Sequence, residues 1–145
     1  MGQQQLLLLV LGIVIVGLAV VVGIQAFGEN QKKANSDALV NDGVRIASDA
    51  QAWKLKPAAF GGGSEATNWT GLTFEQLGYE INTVDGCATY GNLNGCYVLS
   101  GQTTDDLVIT GQSTANGNQV VITVDGTAPT NISTVVSSIA EAEED

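Results

Sequence analysis

The sequence predicts an α+β fold: one long N-terminal α-helix, about residues 6–55, packed on a small antiparallel β-sheet of four or five strands. Three observations predict it. Residues 6–24 hold fifteen Leu, Ile or Val, one Ala, three Gly and no polar side chain. Between Leu39 and Trp53 the apolar residues recur instead at steps of three and four, the rhythm of a helix with one buried stripe. Beyond Pro57, short β-rich runs alternate with Gly, Asn and Asp, the texture of strands joined by turns. A chain of 145 residues has room for about one domain. We expect residues 1–56 to form the helix and 57–145 a globular loop and β domain.

The apolar run comes first. At ~1.5 Å per residue it spans about 28 Å, close to the ~30 Å of a bilayer core. At about −0.3 to −0.6 kcal/mol per Leu, Ile or Val, it contributes roughly −4.5 to −9 kcal/mol toward insertion. Lipid or an equally dry environment must therefore take it up. Gly12, Gly17, Gly23 and Gly28 interrupt the helix at five- or six-residue steps, which does not match a GxxxG dimer face.

The helix does not stop at Gly28. Leu39, Val40, Gly43, Val44, Ile46, Ala47, Ala50 and Trp53 form one apolar stripe, with Asp37, Asp42, Asp49 and Lys54 mostly off it. We expect Leu39, Val40, Val44, Ile46, Ala47, Ala50 and Trp53 to pack on the sheet. Pro57 ends the pattern, because the residue before a proline is pushed out of helical geometry. The whole helix would be ~75 Å long at the standard rise.

Past Pro57, the stretch Phe60-Gly-Gly-Gly-Ser64 is flexible and residues 66–78 read as an irregular connection. Trp69 and Phe74 are expected to anchor that loop on the sheet. Strands are expected at 79–84, 96–100, 106–110, 119–124 and 131–136. Val120, Ile122 and Val124 alternate with Val121 and Thr123, and Asn116-Gly117 supplies a hairpin turn. Such a sheet needs an apolar cover, which the helical stripe can provide. The acidic tail at 141–145 is expected to fray.

Composition narrows the function. All five basic residues lie in the first 56 positions, and the rest of the chain holds eleven acids and no base. That balance opposes binding to nucleic acid, which needs Lys and Arg against phosphate. There is no His, so the usual proton shuttle near neutral pH is missing. No GxSxG or paired catalytic constellation is present, and Gly61 to Gly63 lacks the Lys and the strand–turn–helix context of a phosphate loop. The chain is expected not to be an enzyme and to hold no cofactor or metal.

Cys87 and Cys96 are separated by eight residues. Zinc normally takes four ligands, so a disulfide is the simpler pairing and two buried thiols the alternative. For a loop of about ten residues a disulfide contributes roughly 2.5–3 kcal/mol. Asp85, Asn92 and Asn94 match no standard calcium loop, and turn chemistry accounts for them better. Asn68-Trp69-Thr70 and Asn131-Ile132-Ser133 match the glycan acceptor pattern, which recurs by chance.

An apolar N-terminal helix that continues as an amphipathic one, then a loop, then an antiparallel sheet with a disulfide, resembles a type IV pilin. The resemblance covers the chain in outline and reaches motif level only at residues 1–27. It implies cleavage after a glycine, here Gly2, by a prepilin peptidase. It also implies membrane insertion before assembly, passage through the inner-membrane pilus assembly machinery, and polymerisation with copies of itself into an extracellular filament on the cell surface. The filament core would be dry, with Gln3, Gln4, Gln5, Leu6, Leu7, Val10, Ile13, Val14, Val16, Gly17, Val20 and Ile24 meeting neighbouring subunits.

The N-terminus differs from the family pattern of Phe or Met first and Glu fifth. Cleavage after Gly2 puts Gln3 first and Leu7 fifth, whereas Met1 as first residue puts Gln5 fifth. Either way no carboxylate lies near the N-terminus, and three glutamines offer amide hydrogen bonds instead. The cysteines also lie earlier than the C-terminal disulfide common in pilins.

Two other readings share the architecture: a single-pass anchored surface domain, and a pseudopilin of a secretion system. A cleaved secretory signal fits less well, because no Lys or Arg precedes the run and the run exceeds the usual 7–15 residues. Lys32 and Lys33 bias the following half toward the cytoplasm. The paired cysteines and the base-free acidic half argue for the opposite side.

Overall fold

The computed structural model describes residues 2–81 and 87–138. The fold is α+β: one long helix, α1 (Gly2–Leu55), and a five-stranded antiparallel sheet. By packing, the chain divides into two compact units, Met1–Ala34 and Asn35–Asp145. The first contains the apolar run of α1 and the polar turns that follow it. The second contains the rest of α1, the connecting loop and the sheet.

α1 ends where the sequence requires. Lys56 N–H still bonds back to Ala52 and Trp53 carbonyls, and Pro57 then lacks the N–H that the next turn would need. A 3₁₀ turn at Ala58–Phe60 follows, closed by Gly61. In the loop beyond, Trp69, Leu72 and Phe74 are buried, so an irregular segment is held by its apolar side chains. The expected anchoring roles of Trp69 and Phe74 are met. Trp69 also donates its Nε1–H to the Asp105 carbonyl at 2.9 Å.

The strands are β1 (Tyr90–Gly91), β2 (Cys96–Ser100), β3 (Leu107–Gln112), β4 (Asn118–Val124) and β5 (Ile132–Ser138), in that spatial order. Each pairs antiparallel with its chain neighbour, giving a meander. One expected strand is corrected. Tyr79 to Ile81 form no strand, and the rest of the 79–84 run lies outside the described residues. The reason is local: Tyr79 N–H is taken by the Phe74 carbonyl at 2.9 Å, which closes a turn. The first strand is instead the two-residue β1. The expected turn at Asn116-Gly117 joins β3 to β4. There Gly117 adopts φ +67°, which a residue without Cβ tolerates, and Ser113 N–H bonds the Asn118 carbonyl at 2.8 Å. The acidic tail at 141–145 lies outside the described residues.

The second half of α1 covers one face of the sheet. Leu39, Ile46, Ala47, Ala50 and Trp53 are buried in one core with Tyr97, Leu107, Ile109, Val120, Ile122 and Val124. Along β4 the buried residues alternate with half-buried Gln119, Val121 and Thr123, the period of two that a strand dictates. Val40 packs partly buried against this core and Val44 is half-buried. Gly43 sets the distance between the layers, because a Cβ there would collide with the tip of Ile122.

Candidate functional site

The candidate site is the N-terminal part of α1, since it is the segment that water cannot accommodate. Every Leu, Ile and Val from residue 6 to residue 24 is between 50% and 69% exposed. Apolar side chains therefore face outward all round the helix, without a polar side on which it could lie against water. Val10, Ile13, Val14, Val16, Val20 and Ile24 belong to this surface, as do Leu6 and Leu7. The helix is long and apolar enough to cross a membrane. Gly17 has open space where a Cβ would stand. At the start of the helix Gly2, Gln3, Gln4 and Gln5 are helical and exposed. Their amides are neutral, so they can enter a dry interface at far lower cost than a carboxylate.

The globular unit is tied together by polar rows as well as by its core. Asn35, Asp42 and Asp49 recur at seven-residue steps on α1, beside the apolar stripe. Asp42 accepts three hydrogen bonds on Oδ2: from Tyr97 Oη at 3.0 Å, Asn92 Nδ2 at 2.9 Å and Asn94 Nδ2 at 2.6 Å. Asn35 donates to the Asn94 carbonyl at 3.1 Å, and Asp49 accepts from Tyr79 Oη at 2.5 Å. Asn92 in turn accepts from the Asn94 and Gly95 amides, which is the turn chemistry expected of it. The sequence reading placed these acids outside the stripe and missed that they bind the loops. Their seven-residue spacing was the available signal.

Burial raises the pKa of Tyr97 well above the ordinary tyrosine value, and the neighbouring Asp42 raises it further. Tyr79 is raised in the same direction by burial and then by its bond to Asp49. Around them Phe74, Tyr79, Tyr90 and Tyr97 form a chain of ring contacts, with Tyr79 and Tyr90 centroids 4.8 Å apart. The space between Asp42, Arg45, Tyr79, Tyr90 and Asn92 is about 20 Å³, room for one water-sized molecule. This cluster binds helix to sheet and is too small to take a substrate.

Further contacts have no apolar signature in sequence. Gln51 is buried and donates to the Gly126 and Ala128 carbonyls, both at 2.9 Å. Lys54 donates to the Ala66 and Asn68 carbonyls and lies 5.4 Å from the Trp69 ring centroid. The amides of both glycan-pattern residues donate to backbone carbonyls, Asn68 to Thr103 at 3.1 Å and Asn131 to Asp125 at 2.6 Å. Cys87 and Cys96 form a disulfide with Cα atoms 5.4 Å apart. Because Gly91 pairs with Cys96 in the β1–β2 ladder, the bond straddles the sheet's first hairpin. Among the described residues no group of three or more Cys, Asp or Glu is placed to hold a metal ion. Comparison with protein-family models, with curated proteins and with solved structures finds no match.

Proposed function

We propose that this chain is the structural subunit of an extracellular, type IV pilus-like helical filament that polymerises through its apolar N-terminal helix. One observation carries the reading. The helix that is apolar and exposed on every face over residues 6–24 continues unbroken as the helix on which the sheet is built. A tether needs only the first half, and its junction with the globular part can be any linker. A filament core needs both, because one helix then supplies the self-associating surface and the cover of the sheet.

Energetics agree with a two-stage life. Burying each Leu, Ile or Val contributes about 1.5–3 kcal/mol relative to water, so the membrane holds the subunit before assembly. Moving from lipid into a bundle of helices gains no further hydrophobic energy, and packing between helices then decides the outcome. The partners are other copies of the chain and the inner-membrane assembly machinery, and the destination is the cell surface. A single-pass anchored surface domain or a secretion pseudopilin is the second reading, favoured by a run whose length matches one bilayer crossing.

Val14→Asp or Val16→Asp tests the proposal. A charge in a dry helical core costs several kcal/mol, so either variant is expected to abolish filaments in negative-stain images labelled with antibody against residues 57–145. The disulfide and the far-ultraviolet dichroism of the sheet should persist. Normal filaments from these variants refute the reading.

A further inference from the structure

The two acceptor patterns for N-linked sugar sit in opposite surroundings. Asn131 is packed into a turn. Its Nδ2 donates to the Asp125 carbonyl at 2.6 Å, and a Cβ on Gly126 would lie 2.6 Å from that same nitrogen. Its backbone N–H donates to the Ala128 carbonyl, and its carbonyl accepts the Asp125 N–H. Ser133, the hydroxyl residue of the pattern, is fixed in β5 opposite Thr123, and Asn131 Oδ1 takes the Thr130 hydroxyl at 3.4 Å. A sugar on this amide would displace the turn that leads the chain into β5.

Asn68 lies outside helix and strand, half-buried on the irregular connection, with Thr70 exposed. The backbone there is pinned from both sides. The Trp69 ring is buried and its Nε1–H donates to the Asp105 carbonyl, while Lys54 Nζ donates to the Asn68 carbonyl. The Thr70 hydroxyl donates to Asn68 Oδ1 at 2.7 Å, and the Thr70 N–H donates to the same oxygen at 3.3 Å. The acceptor amide and the hydroxyl of its pattern are therefore in contact before any enzyme arrives. An amide nitrogen is a poor nucleophile, because its lone pair is shared with the carbonyl. Donors on Oδ1 draw charge toward oxygen and make the N–H more acidic, so its proton leaves more readily as nitrogen attacks. The side-chain amide carries two N–H groups, and the Thr103 carbonyl takes one at 3.1 Å. Substituting the other leaves that bond in place, so the folded loop keeps its contacts after modification.

We propose that Asn68, and not Asn131, is an N-glycosylation site whose donor is an oligosaccharide joined through phosphate to a membrane lipid. Asn68 Nδ2 forms a bond to C1 of the sugar, and the C1–O bond to phosphate breaks. The lipid phosphate leaves with the bonding electron pair, and the displaced amide proton passes to a base on the transferase. The apolar helix puts acceptor and donor in one membrane, and the Cys87–Cys96 disulfide suits an oxidising compartment outside the cytosol. A bulky, solubilising sugar fits an exposed connection. The proposal rests on the outward placement in the filament reading and not on polymerisation.

The test uses the full chain purified from the cells that make it. No Lys or Arg follows Lys56, so trypsin leaves both patterns in one fragment, whereas cleavage after Glu gives peptides 66–75 and 81–141. Mass spectrometry should find peptide 66–75 heavier by at least one sugar residue, with fragment ions placing it on Asn68, and peptide 81–141 without sugar. Asn68→Gln and Thr70→Ala should each abolish the added mass, and Thr70→Ser, which keeps the hydroxyl, should retain it. An unmodified 66–75 peptide in the wild-type chain, sugar on Asn131 with Asn68 bare, or added mass that survives N68Q overturns the proposal. Filaments built from chains with bare Asn68 sink this proposal alone. A sugar on Asn68 in chains that form no filaments upholds it and sinks the filament reading.

Discussion

Tyr97 shows how one residue's surroundings set a property of the whole domain. Its ring is fully buried and its hydroxyl donates to Asp42, both of which hold its native pKa above the ordinary value. An unfolded tyrosine titrates near 10. Below about pH 10 both states are protonated and the stability is complete; above it the unfolded state loses its proton first. Stability should then fall by up to about 1.4 kcal/mol per pH unit for this residue. Thermal melts between pH 8 and about pH 11 should show a steeper alkaline loss for wild type than for Tyr97→Phe; equal slopes would disprove the assignment. Gly43 is a second case. The collision its Cβ would make with Ile122 means Gly43→Val overpacks the helix–sheet interface, at an expected cost of about 1–3 kcal/mol. An unchanged melting temperature would show that the layers part freely.

At the scale of elements, the first hairpin depends on its covalent clamp. β1 contributes only two residues to the ladder, too few to hold an edge by hydrogen bonds alone. Ellman titration and intact mass should find no free thiol, with the mass lower by two hydrogens. Replacing both cysteines by Ser should cost roughly 2.5–3 kcal/mol on the chain-entropy account. A double variant that melts with wild type would mean that the Asp42 hydrogen bonds alone position this hairpin. By contrast, the β3–β4 hairpin has six-residue and seven-residue strands in full register and needs no clamp.

For the whole molecule, the glutamines at the start of α1 bear on the proposed assembly. A glutamate in a filament core needs a cationic partner, because an unpaired buried charge is expensive. Gln3, Gln4 and Gln5 avoid that cost, and each amide can bridge to an adjacent helix or to an N-terminal amine. The proposed filaments should persist below about pH 4, where a carboxylate would be protonated. Replacing Gln5 by Leu should weaken assembly by roughly 1–3 kcal/mol for each partner left unsatisfied. If the triple change to Leu assembles as well as wild type, the glutamines only mark the boundary of the apolar segment.

The local rules of the chain settled its elements. Apolar content over residues 6–24, the three-and-four spacing from Leu39 to Trp53, Pro57 as a stop and Asn116-Gly117 as a turn each depend on neighbours within a few positions. Such signals survive in sequence because propensity and periodicity act over that range. Tertiary structure decided what depends on distant partners. Tyr79 forms a turn and a bond to Asp49 in place of starting a strand. Asp42 collects Tyr97, Asn92 and Asn94 from more than forty positions away in the chain. Gln51 is buried because two carbonyls of the β4–β5 connection come to meet it. A polar side chain carries no sequence mark of the partner that will satisfy it, because that partner is supplied by the fold.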